Sequence, residues 1–301
     1  MRLFLKFLAT MLVTLPAVAD ISLEDDFGEL FEISAPAQRI ISLAPHITEV
    51  VYAAGAGEQL VGAVSYSDYP AAAKALPRVG SYDKVSYESI AALRPDLVLA
   101  WPSGNGEDAI RRLQELGIPV FAYEPRAIED VAQSVRQIGL LSGHSEEANA
   151  AAERFEERLR QLRERYRSEL PVSVYYQIWN EPLLTLNGDH LISDVVRLCG
   201  GRNVFETAVP LVSQVSIESV IRADPQVIVA SGMDQARPEW LDDWRNWPTM
   251  QAVRGEQLYF VPPDILQRHS PRILDGAAQL CEQLEQARRH YAESVDLQAP
   301  Q

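Results

Sequence analysis

Five histidines, two cysteines and forty-two carboxylates are the side chains through which this 301-residue chain could do covalent or metal chemistry. His46, His144, His190, His269 and His290 are scattered, and none stands at a metal-ligand spacing. The chain has no G-x-S-x-G turn, no H-E-x-x-H, no C-x-x-C and no phosphate-binding P-loop. The glycines of SGNGED (103–108) do not make G-x-G-x-x-G and read as a loop. Asp264 and His269 could supply two members of a triad, as in a secreted hydrolase, but no nucleophile is placed to join them. The chain is therefore read as not an enzyme, and binding is the chemistry left to explain.

One phrase is written twice. VSYESIAALRPDLVLAW (85–101) returns as VSIESVIRADPQVIVAS (215–231) at a constant offset of 130 residues. The repeat carries the same glutamate, Glu88 in the first copy and Glu218 in the second. Each stands at the second position of an expected helix, where the helix dipole favours a negative charge by about 0.3–1 kcal/mol. That local account explains either glutamate alone; for the repeated phrase, shared ancestry of the two lobes is the alternative to a shared role. Aromatic residues form a second pattern. Tyr66 and Tyr69 in SYSDYP, Tyr82, Trp101 and Trp179 gather where strands are expected to end. Ligands of open α/β sheets bind beyond the carboxyl ends of strands, so these rings suit a flat, largely apolar ligand. Capping of the core is the alternative for any one of them.

The elements that must position these residues alternate. ISLEDDFGELFEI reads as a hairpin. Expected strands lie at 39–44, 60–66, 96–101 and 118–124, with helices over 48–56, from Ser86 to before Pro95, and over 107–117. Residues 144–170 contain no Gly or Pro after His144. Ala148, Ala152, Phe155, Leu159, Leu162 and Tyr166 recur in steps of four and three, predicting one long helix with a single apolar face. The pattern then restarts. Strands are expected at 171–179, 225–231 and 257–263, with helices over 190–201, from Ser216, and at the C-terminal end. The expected fold class is α/β, with two similar lobes joined by one long rigid helix and a ligand cleft between them. Its parts are a signal peptide (1–19), an N-terminal lobe (20–143), the linking helix (144–170), a C-terminal lobe (171–293) and a disordered tail (294–301).

Composition agrees with an exported protein. MRLFLKFLATMLVTLPAVAD has Arg2 and Lys6, an apolar run and an A-x-A site, the layout of a secretory signal cleaved after Ala19. Losing Arg2 and Lys6 would take the net charge from −15 to −17. That argues against a nucleic-acid partner and suits a positive surface. In an oxidising compartment Cys199 and Cys281 are expected to pair. Closing a loop of that length is worth about 4.5 kcal/mol in the chain-entropy model.

RIISLAPHITEVVYAAGAGEQLVGAVSYSDYPAAAKALPRVGSY resembles the start of the helical-backbone periplasmic binding proteins, which serve ABC importers of cobalamin, haem and ferric siderophores. The resemblance covers about residues 30–290. SYSDYP, PDLVLAWPSGN, LCGGRNVF, DILQRHSPRILDGAAQLC and the cysteine pair resemble the cobalamin-binding members of that family. The resemblance implies a monomeric periplasmic carrier of cobalamin or a related corrinoid as cargo, with no resident cofactor and no metal. It implies docking of Glu88 and Glu218 on the arginines of a two-fold symmetric permease dimer. It carries ligand contacts onto Tyr66, Tyr82, Trp101, Asp264 and Arg268. Asp264 and Arg268 also read as a solvated i,i+4 pair worth little. The sequence departs from the family pattern at Val212, Ile265 and Leu266, where aromatics are expected, leaving a cleft less aromatic on that side. Haem, which would require an axial ligand, and ferric siderophores, which favour clefts richer in cations, are the alternative cargoes.

Overall fold

The computed structural model describes residues 20–167, 170–232 and 236–296. The expected signal peptide and residues 297–301 lie outside them. Four parallel strands build the N-terminal sheet, in the spatial order Leu60–Ala63, Ile40–Ser42, Leu97–Ala100 and Val120–Ala122. The C-terminal sheet runs Gly201–Asn203, Val172–Gln177, Val227–Ala230 and Leu258–Phe260, again all parallel. Counted along the chain, both sheets have the order second, first, third, fourth. In such sheets a crevice opens beyond the carboxyl ends of the first and third strands, where the order reverses. Leu97–Ala100 and Val227–Ala230 are buried at every position, as parallel strands covered on both faces must be.

The duplicated phrase folds the same way twice. Ser86 Oγ accepts from Ser89 N at 3.2 Å, and Ser216 Oγ accepts from Ser219 N at 3.2 Å. Each hydroxyl satisfies a backbone donor left free by a helix start. The helices Tyr87–Leu93 and Ile217–Ala223 each end on a left-handed residue, Arg94 (φ 47°) and Asp224 (φ 41°). Pro95 and Pro225 follow and forbid continuation.

The linking helix is Ser145–Tyr166, 22 residues and about 33 Å long at 1.5 Å per residue. The six apolar positions expected on one face are its buried side chains. One apolar cluster runs from Ile40 and Leu97 through Phe155 and Leu159 of this helix to Val174, Val229 and Leu280. Each lobe has a further cluster of its own, around Ile41, Val98 and Leu113 and around Tyr175, Ile228 and Trp244. Lobes that share a continuous core resist independent motion, because parting them exposes apolar surface. Cys199 and Cys281 are bonded, tying the end of the helix Leu191–Leu198 to the closing helix Ile273–Asp296. That closing helix continues three residues into the segment expected as a disordered tail.

Three features go beyond the sequence reading. The helix Ile128–Ser142 packs on the linking helix, with Arg136 clamping Glu156 through two contacts of 2.6 and 2.8 Å. The run 171–179 is not one strand. It leaves the parallel sheet at Gln177, and Trp179–Asn180 pairs instead with Leu183–Leu186 in a three-stranded antiparallel sheet completed by Val212–Gln214. SGNGED is also not simply a loop, since Pro102–Asn105 makes one helical turn.

Candidate functional site

The reversal point of the N-terminal sheet brings two rings together. His46 follows the first strand by four residues and Trp101 follows the third directly; their centroids are 5.2 Å apart, edge to face. Tyr82 lies 5.9 Å from Trp101, so two of the expected ligand aromatics are neighbours. Tyr66 is 75% exposed and takes φ 64°. A bulky residue in the left-handed region costs of order 1–3 kcal/mol, and such strain concentrates at functional positions. Trp179 lies two residues past the parallel strand Val172–Gln177 and pairs in the antiparallel sheet, and its Nε1 donates to Glu181 O at 2.9 Å. Val212 is exposed, while Leu266 is fully buried and belongs to the shared core.

Beneath Trp101 the scattered histidines converge. His269, from the C-terminal lobe, lies 5.6 Å from His46 and 6.4 Å from Trp101, and His190 lies 5.3 Å from His269. Tyr123 completes the cluster, 6.4 Å from His46. Burial disfavours the charged form of each imidazole ring. Burial, then His269 and Arg268, hold His46 well below the ordinary histidine range. Burial brings His269 down to about 4. Burial, followed by His269 and Arg126, brings His190 to about 3. Among the described residues, buried His46 Nε2, His269 Nδ1, Trp101 Nε1 and Tyr123 OH find no hydrogen-bond partner. Among the described residues no group of three or more His, Cys, Asp or Glu is arranged to hold a metal ion.

A charged seam crosses the lobes beside these rings. Arg268 Nη1 reaches Glu49 Oε1 at 2.9 Å and Asp68 Oδ1 at 2.7 Å, and its Nη2 reaches Asp264 Oδ1 at 2.8 Å. Arg272 Nη1 also meets Glu49 Oε1, at 3.1 Å, and Ser270 Oγ donates to Glu49 Oε2 at 2.5 Å. The guanidinium of Arg272 lies over the Tyr69 ring, 4.0 Å from its centroid. This corrects the solvated-pair reading of Asp264 and Arg268: their side chains are 17% and 12% exposed and belong to a network that holds the lobes in register. Burial holds the Glu49 carboxyl above the usual range, outweighing its bonds from Ser270 and Arg268.

Glu49, Asp68, Ser270, Arg272 and Asn105 were not legible as site residues. The one sequence signal was a carboxylate, Glu49, inside the apolar run HITEVVYAA. Glu88 and Glu218 are both exposed, at matching positions of matching helices. The Glu218 carboxyl is held below its usual range by its own backbone N–H and by Ser216.

Residues 40–265 match the family described as periplasmic binding protein. The chain belongs to that family. It is 38% identical to the vitamin B12-binding protein of Vibrio cholerae over 255 residues, covering 84% of this chain and 91% of the relative. It is 40% identical to that of Yersinia pestis over 259 residues, covering 86% and 90%. The crystal structure of the periplasmic vitamin B12-binding protein of Vibrio cholerae superposes with a TM-score of 0.78, covering 84% of this chain and 98% of that one. A periplasmic haem-binding protein from Roseiflexus, 22% identical, superposes at 0.73 over 83% of this chain and 99% of that one; it shares the fold.

Proposed function

We propose that this chain is an exported, monomeric carrier that holds cobalamin or a related corrinoid between its lobes and delivers it to an ABC permease dimer. The observation that carries the reading is the neighbouring Tyr82 and Trp101 at the reversal point of the N-terminal sheet, in a chain 38% identical to a vitamin B12-binding protein. A corrin ring is broad and flat, and aromatic faces bury such a surface. Tyr66 and Trp179 extend the aromatic lining, and Asp264 and Arg268 supply polar contact at the seam. No covalent step is assigned, and cobalamin is cargo, not cofactor. Glu88 and Glu218 present one anion per lobe to a two-fold partner. The chain divides into a leader cleaved after Ala19, a lobe to residue 143, a linking segment at 144–170 whose helix is Ser145–Tyr166, and a second lobe to 293. A titration of the mature protein with cyanocobalamin, with hemin alongside, tests the cargo. Saturable one-to-one cobalamin binding with weak hemin binding is expected. Tight hemin binding without cobalamin binding would move the assignment to haem.

A further inference from the structure

The turn Trp101-Pro102-Ser103-Gly104-Asn105 carries no chemistry of its own, yet it controls where the Trp101 ring lies. Asn105 is 7% exposed, and its carboxamide makes three hydrogen bonds to three separate segments. Its Oδ1 accepts from Trp101 N at 2.7 Å, and its Nδ2 donates to Leu43 O at 2.8 Å and to Tyr82 O at 2.6 Å. One side chain thus ties the exits of the first and third strands to the segment that presents Tyr82. Aspartate would lose both donors, glutamine adds a methylene, and alanine leaves buried carbonyls unpaired. Gly104 is constrained by space, not by backbone conformation. A Cβ there would stand 1.9 Å from Trp101 Cε3 and 2.2 Å from Cζ3. The indole therefore lies against the bare backbone of this turn, and any side chain at 104 would lift it.

We propose that Gly104 and Asn105 are positioning residues that seat the Trp101 indole and fix its distance from Tyr82, so that the aromatic floor is formed before ligand arrives. Preformed floors bind more tightly because less ordering is left to binding. The inference rests on the reading of Trp101 as a ligand contact, and the test separates the two. Gly104→Ala and Asn105→Ala are made in the otherwise native protein and in a Trp101→Ala background, and each is titrated with cyanocobalamin. Each is expected to weaken binding about tenfold on its own and to add little once Trp101 is gone. Asn105→Asp, which keeps the acceptor for Trp101 N, should fall between. Equal losses in both backgrounds, or no loss at all, would overturn the proposal. Should Asn105→Ala fail to fold, Gly104→Ala decides. Should the native protein fail to bind cyanocobalamin, near-UV circular dichroism of the free protein still judges the seat. The band lost in Trp101→Ala must also be lost or shifted in Gly104→Ala; an unchanged band contradicts the seat.

Discussion

The stretches 85–101 and 215–231 share a serine cap, a glutamate, a left-handed helix stop, a proline and a buried strand, and they differ where the strand ends. The first ends on Trp101, which faces Tyr82 and rests on the turn to Asn105. The second ends on Ser231, a fully buried hydroxyl that donates to Val261 O at 2.8 Å. The exposed glutamate is duplicated and the aromatic floor is not. A feature repeated on both lobes suits a partner with two equivalent faces, whereas a feature on one lobe suits a cargo whose two faces differ. On the proposed function the lobes divide the labour: both would dock, and the N-terminal one would carry more of the aromatic recognition.

The seam between the lobes sets the largest expected effect. Arg268→Ala removes one of the two arginine partners of Glu49 and an arginine partner of Asp68, and truncating one member of a buried charge network costs up to about 3–5 kcal/mol. Chemical denaturation should show that loss. A loss below about 1 kcal/mol would mean that the lobes are held by the apolar core alone. Acid acts on the neighbouring histidines. A ring whose folded pKa is depressed contributes stability that is complete above the free value near 6.5 and is lost as pH falls through the folded value. For His269 that window runs down to about 4, and the loss is about 3 kcal/mol when complete. Glu49, whose carboxyl is held above its ordinary range, titrates in the opposite sense. Thermal melts between neutral pH and about pH 4 should fall steeply in the native protein and less in His269→Gln. Equal falls would remove the histidine cluster from the account.

Smaller effects probe the duplication itself. Glu88→Lys and Glu218→Lys should each weaken capture by the permease roughly tenfold while leaving cobalamin affinity unchanged, and by similar factors if the lobes dock equivalently. A loss at one site alone would break the symmetry argument. Ser86→Ala and Ser216→Ala should each lower stability by about 1 kcal/mol, since both remove the same cap. A clear difference would show that tertiary packing, not the cap, sets one of the two helix starts.

What the sequence revealed was local or periodic. The caps, the apolar face of Ser145–Tyr166, the buried strands and the paired phrase all lie within short windows, where side-chain spacing maps directly onto geometry. The contacts that build the site do not. Arg268 and Glu49 are 219 residues apart, Ser270 and Glu49 are 221 apart, and no spacing rule links them. His46, His190 and His269 meet only because two sheets of the same order face each other across a shared core. The expected strand 171–179 ran too long for a related reason: VSVYYQIW has one composition but serves two sheets. Asn105 was passed over because a polar residue between glycines reads as a turn, whereas two of its three bonds are tertiary.

The division of labour is tested most directly by titrating cyanocobalamin into Trp101→Ala and Ser231→Ala side by side. The account predicts roughly hundredfold weaker binding for the first, as for a central aromatic contact. It predicts near-native affinity for the second, whose cost of about 1 kcal/mol falls on stability. Native affinity in Trp101→Ala, or equal losses in the two variants, would contradict it.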